Sequence, residues 1–246
     1  HPCNFHRLCK SVYGSGFNIM PEPTLIKDFH FLAGCISLVG LVIAFAAPKG
    51  SKLHIMGGKS FVVTMLILTS SGLWMSISRE ILFTVFLSLI SFHALLTGWS
   101  AAAKNGIARA VTKYSSISSA LILGGAIWGG LYTANTPDGL LNGLPAGAFY
   151  FIAGVAALLM LLDLIYANTR SPSKAKCVTR HLWRMGFSSF LATGIFFFGN
   201  NHVLPEAMRT PLVLSAPVIG VIVLTAFYTV KIRFFSFSTS NKNEIV

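Results

Sequence analysis

Residues 29–76 read FHFLAGCISLVGLVIAFAAPKGSKLHIMGGKSFVVTMLILTSSGLWMS. An apolar run carries His30 near its start, a short basic loop carries His54, and a second apolar run follows at once. Two apolar segments of this length, joined by so short a loop, predict a transmembrane helical hairpin, because a helix needs roughly 20 apolar residues to cross the hydrocarbon. A second basic-loop histidine, His181 in RHLWRMGFSSF, opens a later apolar run.

Composition agrees with the hairpin. The chain is 54% hydrophobic and 11% charged, with a mean hydropathy of +0.69; soluble domains carry about 25% charged residues. So much apolar surface needs lipid as its solvent. The net charge of +12 is spread over short loops between apolar runs. That pattern is the positive-inside arrangement rather than a nucleic-acid-binding face, and no nucleic-acid partner is expected. Cys3, Cys9, Cys35 and Cys177 form no paired motif, so neither a disulfide framework nor a zinc framework is expected.

The expected fold is therefore all-α, a polytopic membrane bundle of about seven helices, at residues 28–47, 60–78, 81–103, 114–134, 146–167, 181–199 and 212–234. Arg79 and Glu80 alone separate the second from the third. Fourteen lysines and arginines fall in the loops of one side, and three, Lys27, Arg79 and Arg209, in those of the other, counted from Met20. The rich side is expected to be cytoplasmic, with the N-terminus outside and the C-terminus inside. Residues 1–19 are polar and lack an apolar signal core; they read as a non-native or disordered leader before a start at Met20. Residues 20–235 read as one transmembrane domain and residues 236–246 as a polar cytoplasmic tail. In the fourth span, Gly125 and Gly129, like Ser115 and Ser119, are spaced to let helix backbones approach closely. The loop TANTPDGLLNGLPAG that follows is turn-rich and suits an outer position. The expected location is a bacterial cytoplasmic (inner) membrane.

Few residues carry chemistry. His54 and His181 lie at the cytoplasmic ends of the second and sixth spans, with Asp163 near the cytoplasmic end of the fifth. His30 lies one turn inside the first span on the outer side, His202 follows the sixth, and His93 falls near mid-membrane. Two layers of histidine suit a di-haem arrangement, since neutral imidazoles on facing helices ligate haem iron. His54, His181, His30 and His93 are thus the candidate cofactor ligands, for haem b or a transition metal, and His54, His181 and Asp163 the candidate metal set. The plainer reading has the histidines anchoring helix ends. Asp163 is expected to face the bundle, either orienting a histidine or pairing with Arg180 or Arg184. His93 needs a partner such as a serine or a backbone carbonyl. No nucleophile, phosphate-loop or dinucleotide motif appears, and no catalytic residue is assigned.

The segments FHFLAG, KGSKLHIMGGKSFVVTM and RHLWRMGFSSF resemble an uncharacterised bacterial family of multi-pass membrane proteins. That family has a first-helix histidine (His30 here), a basic-loop His-x-x-Gly signature (His54 with Gly57 and Gly58) and a later His-x-x-Trp-Met-like segment (His181 with Arg184 and Met185). Ile55 stands where that family commonly has arginine, and Trp183 precedes Arg184. The resemblance implies a membrane bundle and no established activity. A weaker likeness to cytochrome b561-type four-helix cores is analogy. Two functions are expected from these readings: a redox protein holding haem or a metal, or a non-enzymatic permease or assembly factor whose histidines handle protons or anchor helices. Expected partners are the lipid bilayer and either a second copy of the chain or a respiratory-chain protein.

Overall fold

The computed structural model describes residues 24–240, apart from 104, 170 and 200. The leader, Met20, Cys3, Cys9 and the last six residues lie outside these. Among the described residues there are seven long helices: α1 (Thr24–Ala46), α2 (Lys52–Ser78), α3 (Leu82–Ala102), α4 (Gly106–Ala134), α5 (Ala146–Ala167), α6 (Lys174–Gly194) and α7 (Pro211–Ser240).

Six of them, all but α6, are long and apolar enough to cross a membrane, and the protein is a multi-pass membrane protein on that ground. The bundle is inverted relative to a soluble one. Leu121, Phe151 and Leu212 are more than 70% exposed, while Ser37, Thr97, Ser119, Thr133, Asp163, Arg184 and Ser188 are at most 1% exposed. The polar groups face inward because lipid cannot hydrogen-bond them. α6 is the extreme case. Its buried face is Arg180, Arg184, Ser188, Ser189 and Thr193, which explains why a helix enclosed by the bundle does not read as apolar.

The connections follow local chemistry. Lys49 closes the first hairpin by donating to the carbonyls of Ala44 (2.9 Å) and Phe45 (2.8 Å), which have no helical partner at the end of α1. Its ammonium also lies 4.3 Å from the centre of the Tyr228 ring, tying the loop to α7, and burial pushes the Lys49 pKa down. Ser51 caps α2 by accepting from the His54 amide (3.2 Å). Glu80, at φ 56°, makes the two-residue turn into α3. Between α4 and α5 a two-stranded hairpin pairs Leu140 with Pro145 and Leu141 with Leu144; Asn142 (φ 52°) and Gly143 (φ 77°) form its turn, the Asn-Gly pair that such tight turns favour.

Helix α3 is central, packing on α2, α4, α5 and α6. One apolar core joins Phe86 and Ile90 of α3 to Ile122 and Ala126 of α4 and to Phe149 and Leu159 of α5. The other joins Leu41, Phe61, Met65 and Leu95 to Ala192 and Val221. The expected small-residue packing of α4 is present: Ser115 and Ser119 are buried, and a Cβ at Gly125 or Gly129 would meet the Phe86 ring or the Phe149 ring at 2.8 and 3.0 Å. Helix α6 approaches α3 closely at Gly98, where a Cβ would lie 2.9 Å from that of Arg184.

Candidate functional site

That approach at Gly98 sets Arg184 against the central helix, and a polar cluster forms where α3, α4, α5 and α6 meet. Asp163 of α5 is fully buried and accepts from three side chains. Arg180 Nη2 donates to its Oδ1 at 2.8 Å, and Arg184 Nη2 donates to the same oxygen. His93 Nε2 lies 2.9 Å from Oδ2. Arg184 Nη2 also donates to the Leu159 carbonyl (3.2 Å). The guanidinium of Arg180 stacks 4.0 Å from the centre of the Tyr166 ring, and that of Arg184 4.4 Å from Trp183. Such ring contacts suit a guanidinium, whose planar ion is weakly hydrated.

The other edge of the His93 ring reaches α4. Nδ1 is 2.8 Å from Ser118 Oγ, and Ser118 Oγ is in turn 2.8 Å from the Ser115 carbonyl. Ser118 has one hydroxyl proton for these two contacts. If it goes to Ser115, His93 Nδ1 must be an N–H donor. If it turns to His93, Nδ1 is an acceptor and Nε2–H donates to Asp163 with the imidazole neutral. Turning one hydroxyl therefore lets the ring hold or release a proton while both ring contacts are kept, the bond from Ser118 to the Ser115 carbonyl being given up in the neutral form. Ser118 lies at the surface of the bundle, so the imidazole links the buried carboxylate to the bundle's exterior.

The remaining histidines separate into two places. His54 Nδ1 donates to the Ala44 carbonyl and His181 Nδ1 to the Gly98 carbonyl, each at 2.9 Å. A carbonyl only accepts, so both rings carry the proton on Nδ1 and present a lone pair at Nε2 when neutral. The two imidazoles lie within range of each other's charge. His30 Nδ1 lies 2.9 Å from Ser71 Oγ, which also lies 2.7 Å from the Ile67 carbonyl. His202 is exposed in a short turn, where its carbonyl accepts from Arg209.

The expected metal set of His54, His181 and Asp163 is not brought together. Asp163 is committed to His93, Arg180 and Arg184, and among the described residues no three His, Cys, Asp or Glu side chains gather in a way that could hold a metal ion. The expected pairing of Asp163 with Arg180 or Arg184 occurs with both. His93 finds the expected serine, and also Asp163, which sequence depth had placed elsewhere. The signal for that meeting was present: Arg180, Arg184 and Ser188 recur every four residues, one face of a helix, in a segment that otherwise reads as a loop and then a span.

No family model matches the chain, and no curated protein or solved structure matches it either.

Proposed function

We propose that the chain is a non-enzymatic membrane permease whose centre handles protons through His93. The observation that supports this reading is the His93 ring held between Asp163 and Ser118, with one hydroxyl proton serving two acceptors. Ionisable groups within a bundle commonly mark proton relays. The charged and titratable groups around the ring are Asp163 on α5 and Arg180 and Arg184 on α6. In this reading seven helices cross a bacterial cytoplasmic membrane, with the lysine- and arginine-rich loops inside.

The test is proton movement in proteoliposomes loaded with a pH-sensitive dye. Wild-type protein is expected to dissipate an imposed pH gradient faster than empty vesicles. His93→Gln is expected to slow this at least tenfold, while His202→Gln, an exposed loop control, leaves it unchanged. Equal rates for wild type and His93→Gln would remove the reading.

A second reading is favoured by one observation. His54 and His181 both have Nδ1 held by a backbone carbonyl, the outer contact that orients a ligating imidazole and leaves Nε2 available. This pair is the candidate axial set for a haem or half the set for a transition metal. An absorption spectrum with metal analysis of the purified protein separates the two readings: a haem band or a bound metal lost in His54→Ala supports the second.

A further inference from the structure

The buried cluster is unbalanced in both charge and hydrogen bonds. Arg180 and Arg184 share one oxygen of one carboxylate, so before His93 is counted two positive charges face one negative. No other described carboxylate can help. Asp28, Glu80, Asp138 and Glu206 belong to the start of α1 and to the α2–α3, α4–α5 and α6–α7 connections, at the opposite end of the bundle from the basic loops.

The donors tell the same story. Arg180 Nε, Arg184 Nε, Arg184 Nη1 and Ser188 Oγ are buried and have no hydrogen-bond partner among the described residues. Arg184 and Ser188 are 0% exposed and Arg180 4%. Their spacing of four places all three on one face of α6. Buried polar groups are nearly always paired, and a buried charge more strictly still. Tyr166 and Trp183 cover guanidinium faces but accept none of these N–H groups in a hydrogen bond.

We propose that this face of α6 binds a small monovalent anion of halide size, held by the unpaired N–H groups of Arg180 and Arg184 and by the Ser188 hydroxyl. One negative charge brings the two arginines and Asp163 to neutrality; a dianion would overshoot it. The donors are enclosed, which selects a small ion over a lipid phosphate or an organic acid. Exposed Lys174 and Lys176 at the start of α6 supply the positive potential that draws an anion to this end.

The experiment uses the full chain in detergent, exchanged into sodium gluconate. Chloride replaces gluconate at constant ionic strength while the melting temperature is followed. A ligand that binds only the folded state raises that temperature in a saturable way. The expected result is a saturable rise with chloride or bromide and none with sulfate. Ser188→Ala should require at least about tenfold more chloride for half the effect, as expected for one lost charge-assisted hydrogen bond, and should be no less stable than wild type in gluconate, because it removes an unpaired hydroxyl. Arg184→Lys keeps the charge but loses Nε and Nη1, and should abolish the rise; if it does not fold, Ser188→Ala decides. No rise in wild type, the same half-effect in Ser188→Ala, or an equal rise with sulfate overturns the site. The assay reads binding alone, so proton flux without chloride binding defeats only this inference, and chloride binding without flux defeats only the permease reading.

Discussion

Asp163→Asn separates charge from shape at the cluster. Asparagine fits the same space, and its groups can still be paired: the amide oxygen accepts from the two arginines, and the amide N–H donates to His93 Nε2 once the ring proton sits on Nδ1 facing Ser118. What is lost is the negative charge, leaving two guanidinium groups buried without a counter-ion. Removing one partner of a buried ion pair costs about 3–5 kcal/mol. At about 1.4 kcal/mol per factor of ten, that shifts the folded-to-unfolded ratio between about a hundredfold and a few thousandfold. Arg180→Gln should cost less, about 1–2 kcal/mol, because it leaves one arginine against one carboxylate. The assay is reversible unfolding in mixed detergent and dodecyl sulfate micelles, followed by circular dichroism, with Leu162→Ala as a neighbouring packing control. The expected order of cost is Asp163→Asn above Arg180→Gln. A cost below about 1 kcal/mol for Asp163→Asn, or the reverse order, would refute the claim that this carboxylate is the counter-ion the two arginines share.

Two other outcomes are expected. A methyl at Gly186 would lie 2.4 Å from Thr225 Oγ1 and Cγ2, so Gly186→Ala should part α6 from α7 and lower stability by about 1–3 kcal/mol; Gly154→Ala, with nothing within 4 Å, should be neutral or slightly stabilising in the same unfolding assay. If seven helices cross with the basic loops inside, a single cysteine at Asn142 is labelled from outside the cell by an impermeant maleimide and one at Lys174 is not; the reverse pattern overturns the orientation.

Much of the fold was legible because lipid imposes simple rules. The first hairpin, the Arg79–Glu80 turn and the close packing of α4 all follow from apolar length and small-residue spacing. Helix α6 was only half legible. It begins at Lys174, seven residues before the apolar run at His181, because its charged face is enclosed by other helices and so resembles a loop in sequence. The site was harder for a related reason. Depth counted from span ends puts His93 nine residues from the end of α3 and Asp163 four from the end of α5. That count treats helix ends as level. It also leaves out the reach of the side chains, which meet at 2.9 Å. The pairing of Asp163 with arginine was readable because a buried carboxylate needs a cation and Arg180 and Arg184 open the span that follows it. That both would use one oxygen, leaving other donors unpaired, depends on side-chain geometry that periodicity does not carry.

The most direct measurement of the central claim is the ring-nitrogen state of His93, read by ¹⁵N NMR of histidine-labelled protein in micelles, with the signal assigned by its loss in His93→Gln. The account predicts that Nε2 carries a proton toward Asp163, in the neutral Nε2–H form or the doubly protonated form, while circular dichroism shows the bundle intact. A His93 signal of the neutral Nδ1–H form, whose Nε2 lone pair would face the carboxylate, would contradict a proton-handling centre.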